Sequence, residues 1–374
     1  MNRTPLYDAH FSAGGKLVDF AGWEMPIQYS GVVDEYQAVR KAAGLFDVSH
    51  MGRFLVAGPS AAAYLQLLVT TDVVKLPLGE SQYSMVCNEQ GGIKDDIFIY
   101  HTDPQEYLLC VNASNRSKVW TWLMEHTRGL ADLLLSDQSG DLGQLALQGP
   151  QAKVILTSAG VDGLDALKPR HCLRAPLGGA SVLVTRTGYT GELGYELYVP
   201  RQAARVVWDL LLAKGAAQGL KPAGLGARDL LRLEMGYLLY GNDIGEDISP
   251  VEASASWVVD FQKRDFVGKS VLMEQKTRGP AKKLVAFELL ERGVPRHGLK
   301  VLASAGASGS SEAAPIGEVT SGNFSPLLQK GIGMAFVPPS YASPETALAI
   351  DIRGKIAPAV VVKAPFYKRK GERQ

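Results

Sequence analysis

Four short stretches of this 374-residue chain gather side chains that could do chemistry. The first is Gly91-Gly92-Ile93-Lys94-Asp95-Asp96-Ile97. Two adjacent carboxylates at the head of an apolar strand face opposite sides of a sheet. One can face a cavity, where it would orient an amine or accept its proton, while the other meets solvent or caps a turn. Both could equally decorate a turn. The second runs from Gly188 to Glu196 and holds three glycines between two strands. It lacks the Lys-Ser/Thr of a phosphate loop and does not have GxGxxG spacing, so a tight hairpin with bulges is the simpler reading. Glu196, within an otherwise apolar strand, suits the paired N–H donors of a cyclic amidine or lactam edge, or is an outward-facing strand residue. The third spans Ala227 to Gly236, where Arg228 and Arg232 are four apart on one helical face. Arg supplies a planar fork for a carbonyl or carboxylate, unless the two make surface ion pairs with Asp229 or Glu234. The polar turn Tyr240 to Ile244 follows, with helix termination as its plain role. The fourth, Phe46 to Gly52, brings Asp47, Ser49 and His50 together. One strand cannot fold three near neighbours into a relay, and no GxSxG elbow exists. A structural or ligand-lining role is expected there.

The elements that must position these residues follow from periodicity. Apolar spacing predicts helices over 30–44, 61–69, 114–126 (capped by Ser or Asn), 151–159, 202–215 and 226–235. Alternation predicts strands over 45–49, 53–56, 83–87, 97–100, 106–111, 142–147, 182–187 and 195–199. Residues 80–115 read as a hairpin meander. Residues 276–280, Lys-Thr-Arg-Gly-Pro, read as a linker. Beyond it, strands over 284–289, 316–320, 331–336 and 357–362 with few helices between them suggest a C-terminal β domain, a small barrel. The Ala/Ser/Gly-rich run 303–314 reads as a flexible loop.

Composition narrows the function. Lys+Arg is 39 and Asp+Glu 38, giving a formal charge of +1, without the basic excess of a nucleic-acid partner. The basic tail of Lys368, Arg369, Lys370 and Arg373 reads as a solvated terminus. Cys87, Cys110 and Cys172 are odd in number, far apart and in no CxxC pattern, which argues against disulfides and zinc. The six histidines include no HExxH pair, so no metal is expected. No stretch of about 18 apolar residues predicts a membrane span. The N-terminus shows no apolar or Arg/Ser-rich leader, so the chain is expected to be made where it works or to have lost its leader.

In order, these stretches, together with Thr4 to Asp8, Phe20-Ala21-Gly22-Trp23, Leu147 to Pro150, Pro250-Val251-Glu252, Asp265 to Lys269 and Gly317 to Gly322, resemble the glycine cleavage T-protein family, the aminomethyltransferases. The resemblance implies an α+β fold of three domains in a cloverleaf around a central folate channel, with a C-terminal β barrel. The domains would be 1–50 with 138–245, 51–137 with 246–275, and 276–374. It implies that the enzyme takes an aminomethyl group from the dihydrolipoyl arm of a lipoylated H-protein, releases ammonia, and passes the carbon to tetrahydrofolate as 5,10-methylenetetrahydrofolate. Tetrahydrofolate is then a co-substrate, with no metal, flavin or nicotinamide, and no nucleic-acid or membrane partner. The setting is the bacterial cytoplasm, or the mitochondrial matrix if a leader has been removed.

Carried over residue by residue, the resemblance makes Asp96 the key carboxylate near the folate amines. Glu196 and Arg228 would hold the pterin ring and serve each other as counter-charges without it. Tyr189 and Met51 would line the channel, with Tyr83, Val111 and Asn112 as further contacts. Lys94 departs from the family pattern; on strand alternation it shares a face with Asp96 and would pair with it or snorkel outward. The tail after Phe366 also departs. Folate-dependent demethylases share the fold and are the enzyme alternative. The missing Rossmann fingerprint argues against fused dehydrogenases. The Lys-Gly-Cys-Tyr-x-Gly-Gln-Glu signature of the iron–sulfur assembly relatives is absent: the nearest stretch, 263–269, has neither Cys nor Gln-Glu.

Overall fold

The computed structural model describes residues 1–303 and 315–369. Most of the expected 303–314 loop, and Lys370 and Arg373 of the basic tail, lie outside the described residues. The chain divides into two compact units: Met1–Val86 with Asp95–Asp229, and Cys87–Lys94 with Leu230–Gln374.

The first unit carries two sheets. One has six strands in the order Cys172–Leu177, Ala180–Thr185, Gly194–Pro200, Leu142–Gln148, Ala43–Asp47 and Leu220–Pro222. All neighbours run antiparallel except the last pair. Period-two alternation sorts its side chains. Val182, Val184, Tyr195, Leu197 and Val199 enter a core with Leu145, Leu147, Ile155, Leu156, Trp208 and Leu211, the last four from helices Ala152–Ser158 and Ala204–Gly215 on that face. Leu183 and Tyr198 point the other way and meet Tyr100, Leu108 and Cys110 of the second sheet. Glu196, between Tyr195 and Leu197, belongs to this inter-sheet face.

The second sheet has the order Ser81–Cys87, Ile93–Asp103, Glu106–Val111, Gly52–Ala57 and Leu134–Asp137. The expected 97–100 strand is in fact eleven residues long, so the Asp pair lies within it rather than at its head. Asp95, Ile97 and Ile99 are fully buried on one face, while Lys94, Asp96 and Phe98 on the other are half-buried.

In the second unit, six strands close into a barrel: Lys283–Leu289, Lys330–Val337, Pro315–Ser325, Lys300–Ala303, Ala347–Ile352 and Lys355–Val362, which pairs back to the first. Its core is Val285, Phe287, Leu289, Val301, Val319, Ala335, Val337, Leu348, Ile350 and Val361. The α+β class and the C-terminal barrel thus stand as expected. The expected linker does not: helix Lys269–Arg278 runs through its first three residues and stops at Gly279, whose φ of 85° an L side chain resists. No helix among the described residues is long and apolar enough to cross a membrane.

Candidate active site

The exposed-side carboxylate of the pair is held at both oxygens. Tyr83 donates its hydroxyl to Asp96 Oδ2 at 2.9 Å, and Asn112 Nδ2 donates to Asp96 Oδ1 at 2.8 Å. Burial, and then the Asp96 charge, raise the Tyr83 phenol well above its usual range, so Tyr83 stays a donor. Asp95 is buried in the sheet interior, and its oxygens accept from the Asn112 backbone N–H at 3.0 Å, Asn112 Nδ2 at 2.8 Å and Asn115 Nδ2 at 2.6 Å. Burial, with Asp96 adding to it, pushes Asp95 up to about 8 despite these donors. The two carboxylates do face opposite sides, yet one asparagine touches both.

Alternation carries this face along the strand from Asp96 through Phe98 to Tyr100, about 13 Å at the usual rise. Tyr83 and Phe98 pack ring to ring at 5.7 Å, and Phe98 stacks on Tyr100 at 6.0 Å. Tyr100 then reaches across to the other sheet, its hydroxyl 3.4 Å from Glu196 Oε2. Thr187 donates to the same oxygen at 2.6 Å and is itself within 2.6 Å of Thr185. Glu196 Oε1 has no protein partner among the described residues, so one lone-pair edge of a buried carboxylate is left for a ligand.

Arg228 lies in helix Leu225–Glu234, its guanidinium 4.7 Å from the Tyr189 ring centroid. Among the described residues that guanidinium has no hydrogen bond or ion pair. The expected counter-charge pair with Glu196 is therefore not formed: Glu196 bonds to hydroxyls, and Arg228 lies over an aromatic ring. Met51 packs against the Tyr100–Tyr198 cluster between the sheets. Val111 is fully buried opposite Gly52 and offers a ligand no surface, a correction to its expected contact role. Lys94 pairs with Glu246 at 3.1 Å, which accounts for the departure noted in the sequence.

The profile of the GCVT N-terminal domain matches residues 6–263, and that of the glycine cleavage T-protein C-terminal barrel domain matches residues 282–368. The chain belongs to the glycine cleavage T-protein family. Its members are aminomethyltransferases. Relatives of that name include one from Halothermothrix orenii, 44% identical over 98% of this chain and 100% of that protein, and one from Bacillus velezensis, 45% identical over 99% of each. The crystal structure of the glycine cleavage system aminomethyltransferase T from Bartonella henselae superposes with a TM-score of 0.90 at 34% identity, covering 98% of both chains.

Other residues that no sequence motif marks surround the candidate site residues. Asn115 was expected at most as a helix cap; it stands at the start of helix Arg116–Glu125, but its side chain bonds Asp95 instead of the helix. Thr187 and Tyr100 around Glu196 carried no signal beyond strand alternation. Arg53, fully buried, donates to the carbonyls of Ser49 at 3.0 Å and Met51 at 2.5 Å, and so pins the turn that presents Met51. In the Phe46 to Gly52 stretch, Asp47 forms no relay with Ser49 and His50. It pairs with His10 at 2.9 Å, and Tyr29 bonds the other ring nitrogen at 2.8 Å. This outcome matches the structural reading of that stretch.

Proposed function

We propose that this T-protein takes the aminomethyl group from the dihydrolipoyl arm of a lipoylated H-protein and passes its carbon to tetrahydrofolate. Ammonia leaves and 5,10-methylenetetrahydrofolate forms. The two amine protons lost by the folate balance those gained by the thiol and the ammonia. The domain division 1–50 with 138–245, 51–137 with 246–275 and 276–374, and a bacterial cytoplasmic setting, belong to the same proposal.

The observation that carries the reading is Asp96: a half-buried carboxylate whose two oxygens accept from neutral donors, the Tyr83 hydroxyl and the Asn112 amide. Each oxygen keeps lone pairs, so Asp96 can orient an amine N–H and accept its proton. Its negative charge would also stabilise positive charge developing on the transferred carbon. The pterin ring fits the remaining groups. Its amide carbonyl is an acceptor suited to the unengaged Arg228 fork, and its N–H and amino donors suit the open edge of Glu196. Tyr189 and Met51 would cover the ring and exclude water, favouring transfer over hydrolysis.

The test is turnover of aminomethyl-loaded H-protein with tetrahydrofolate, following ammonia and methylenetetrahydrofolate. Asp96→Asn keeps the shape and both hydrogen-bond partners within reach but removes the base. It should lower kcat by about 10²- to 10⁴-fold. Wild-type protein that binds tetrahydrofolate yet releases no folate-dependent ammonia would sink the proposal and favour a demethylase, which methyl donors would then reveal.

A further inference from the structure

Asp95 cannot touch a ligand, because none of its surface is exposed. It is nonetheless an acidic side chain on the apolar face of its strand, beside Ile97 and Ile99, with no cation paired to it among the described residues. Burying such a polar group, charged or neutral, is costly unless its hydrogen bonds are met. Its three donors show what it holds. The Asn112 backbone N–H and side-chain amide both end on Asp95, and Asn115 closes the cluster. Asn112 Nδ2 has three oxygens around it, Asp95 Oδ1 at 2.8 Å, Asp96 Oδ1 at 2.8 Å and the Asp96 carbonyl at 3.0 Å. Three acceptors around one end of an amide make that end the NH2.

We infer that Asp95 is a positioning residue: it locks the Asn112 amide with its NH2 edge toward the carboxylates and through it holds the Asp96 side chain in one rotamer. This rests on the reading of Asp96 as the reacting carboxylate. Without Asp95, nothing distinguishes the two amide orientations except Asp96 itself, and a flipped amide would turn a carbonyl oxygen against the Asp96 carboxylate. Asp96 then swings away from that repulsion, and a misplaced acceptor costs rate more than ligand affinity.

The experiment is a double-mutant cycle on full-length protein, reading kcat with loaded H-protein and Kd for tetrahydrofolate by fluorescence. Asp95→Asn should lower kcat about 30-fold and change Kd by less than about 3-fold. On an Asn112→Ala background the same change should cost less than about 3-fold in kcat, because the relay is already gone. A role in folding alone would give equal losses in both backgrounds, and that result, or an unchanged kcat in Asp95→Asn, would overturn the inference. Should Asp95→Asn not fold, Asn115→Ala removes one of the three donors and leaves Asp95 and Asn112 in place. It should lower kcat about 3- to 10-fold, again only when Asn112 is present; equal losses with and without Asn112 would overturn the inference here too. Wild-type protein without turnover marks failure of the assigned reaction, whereas an active wild type with an equally active Asp95→Asn marks failure of this inference alone.

Discussion

His50 is 3% exposed and its Nδ1 has no hydrogen-bond partner among the described residues. Burial pushes it down to about 3; Asp47 opposes the shift, while Arg228, Arg53 and Arg116 add to it. The folded state therefore refuses a proton that the unfolded chain accepts below about 6.5. Stability from this group is complete above that value and is lost as pH falls toward 3, at up to about 1.4 kcal/mol per unit. In urea titrations, wild type should lose about 2 kcal/mol relative to His50→Leu between pH 7 and pH 5; parallel curves would refute the assignment. At the ligand, Glu196→Gln should raise the tetrahydrofolate Kd about 10- to 100-fold, the worth of one charge-assisted hydrogen bond, and change kcat much less. An effect confined to kcat would move Glu196 from binding to chemistry. Carboxylates and arginines were legible as residue types in short motifs. Their partners were not, because a hydrogen bond from residue 112 or 187 leaves no periodic trace in the chain.

The glycine-rich turn before Glu196 shows how an element depends on a single close approach. A Cβ on Gly188 would lie 2.0 Å from Gln148 Oε1, and one on Gly194 would lie 2.3 Å from the Gln148 amide. Gln148 is 1% exposed and donates to the Thr187 carbonyl at 3.2 Å, while Thr190 donates to it at 3.0 Å. It fills the space beneath the turn and cannot move without abandoning these bonds. Gly194→Ala should cost about 2–3 kcal/mol in urea unfolding and weaken folate binding by displacing Tyr189. Unchanged stability would mean that the turn relaxes freely. Strand and helix positions here were legible from alternation and apolar spacing, usually within two or three residues. Several strands were not, among them Lys16–Phe20, Trp23–Gln28, Leu134–Asp137, Ala347–Ile352, Lys300–Ala303, which is four residues long, and Cys172–Leu177, which carries Arg174 and Pro176 within it.

At the scale of the whole chain, the barrel was legible because three of its strands, Lys283–Leu289, Lys330–Val337 and Lys355–Val362, are largely apolar runs and few helices lie between them, whereas the composition of the two units was not. Residues 87–94 leave the first unit and join the second, and no local pattern marks such an excursion. The second unit shows a further long-range device. Arg232 and Asp243, 2% and 0% exposed in their side chains, pair at 2.8 Å. Arg232 also donates to Ser321 Oγ at 2.9 Å, and Ser321 and Thr320 of the barrel donate to Asp243 Oδ1 at 2.7 and 2.5 Å. The polar turn after the helix thus does more than end it: it joins the helix to a barrel strand through a buried ion pair. Removing one charge leaves the other buried and uncompensated, so Asp243→Asn should destabilise the chain by about 3–5 kcal/mol. Exchanging both for apolar residues, Arg232→Met with Asp243→Leu, should cost clearly less than the sum of the single changes. Additive losses in urea unfolding would mean that the two side chains act separately, and the pair would then be a by-product of packing instead of the tie between helix and barrel.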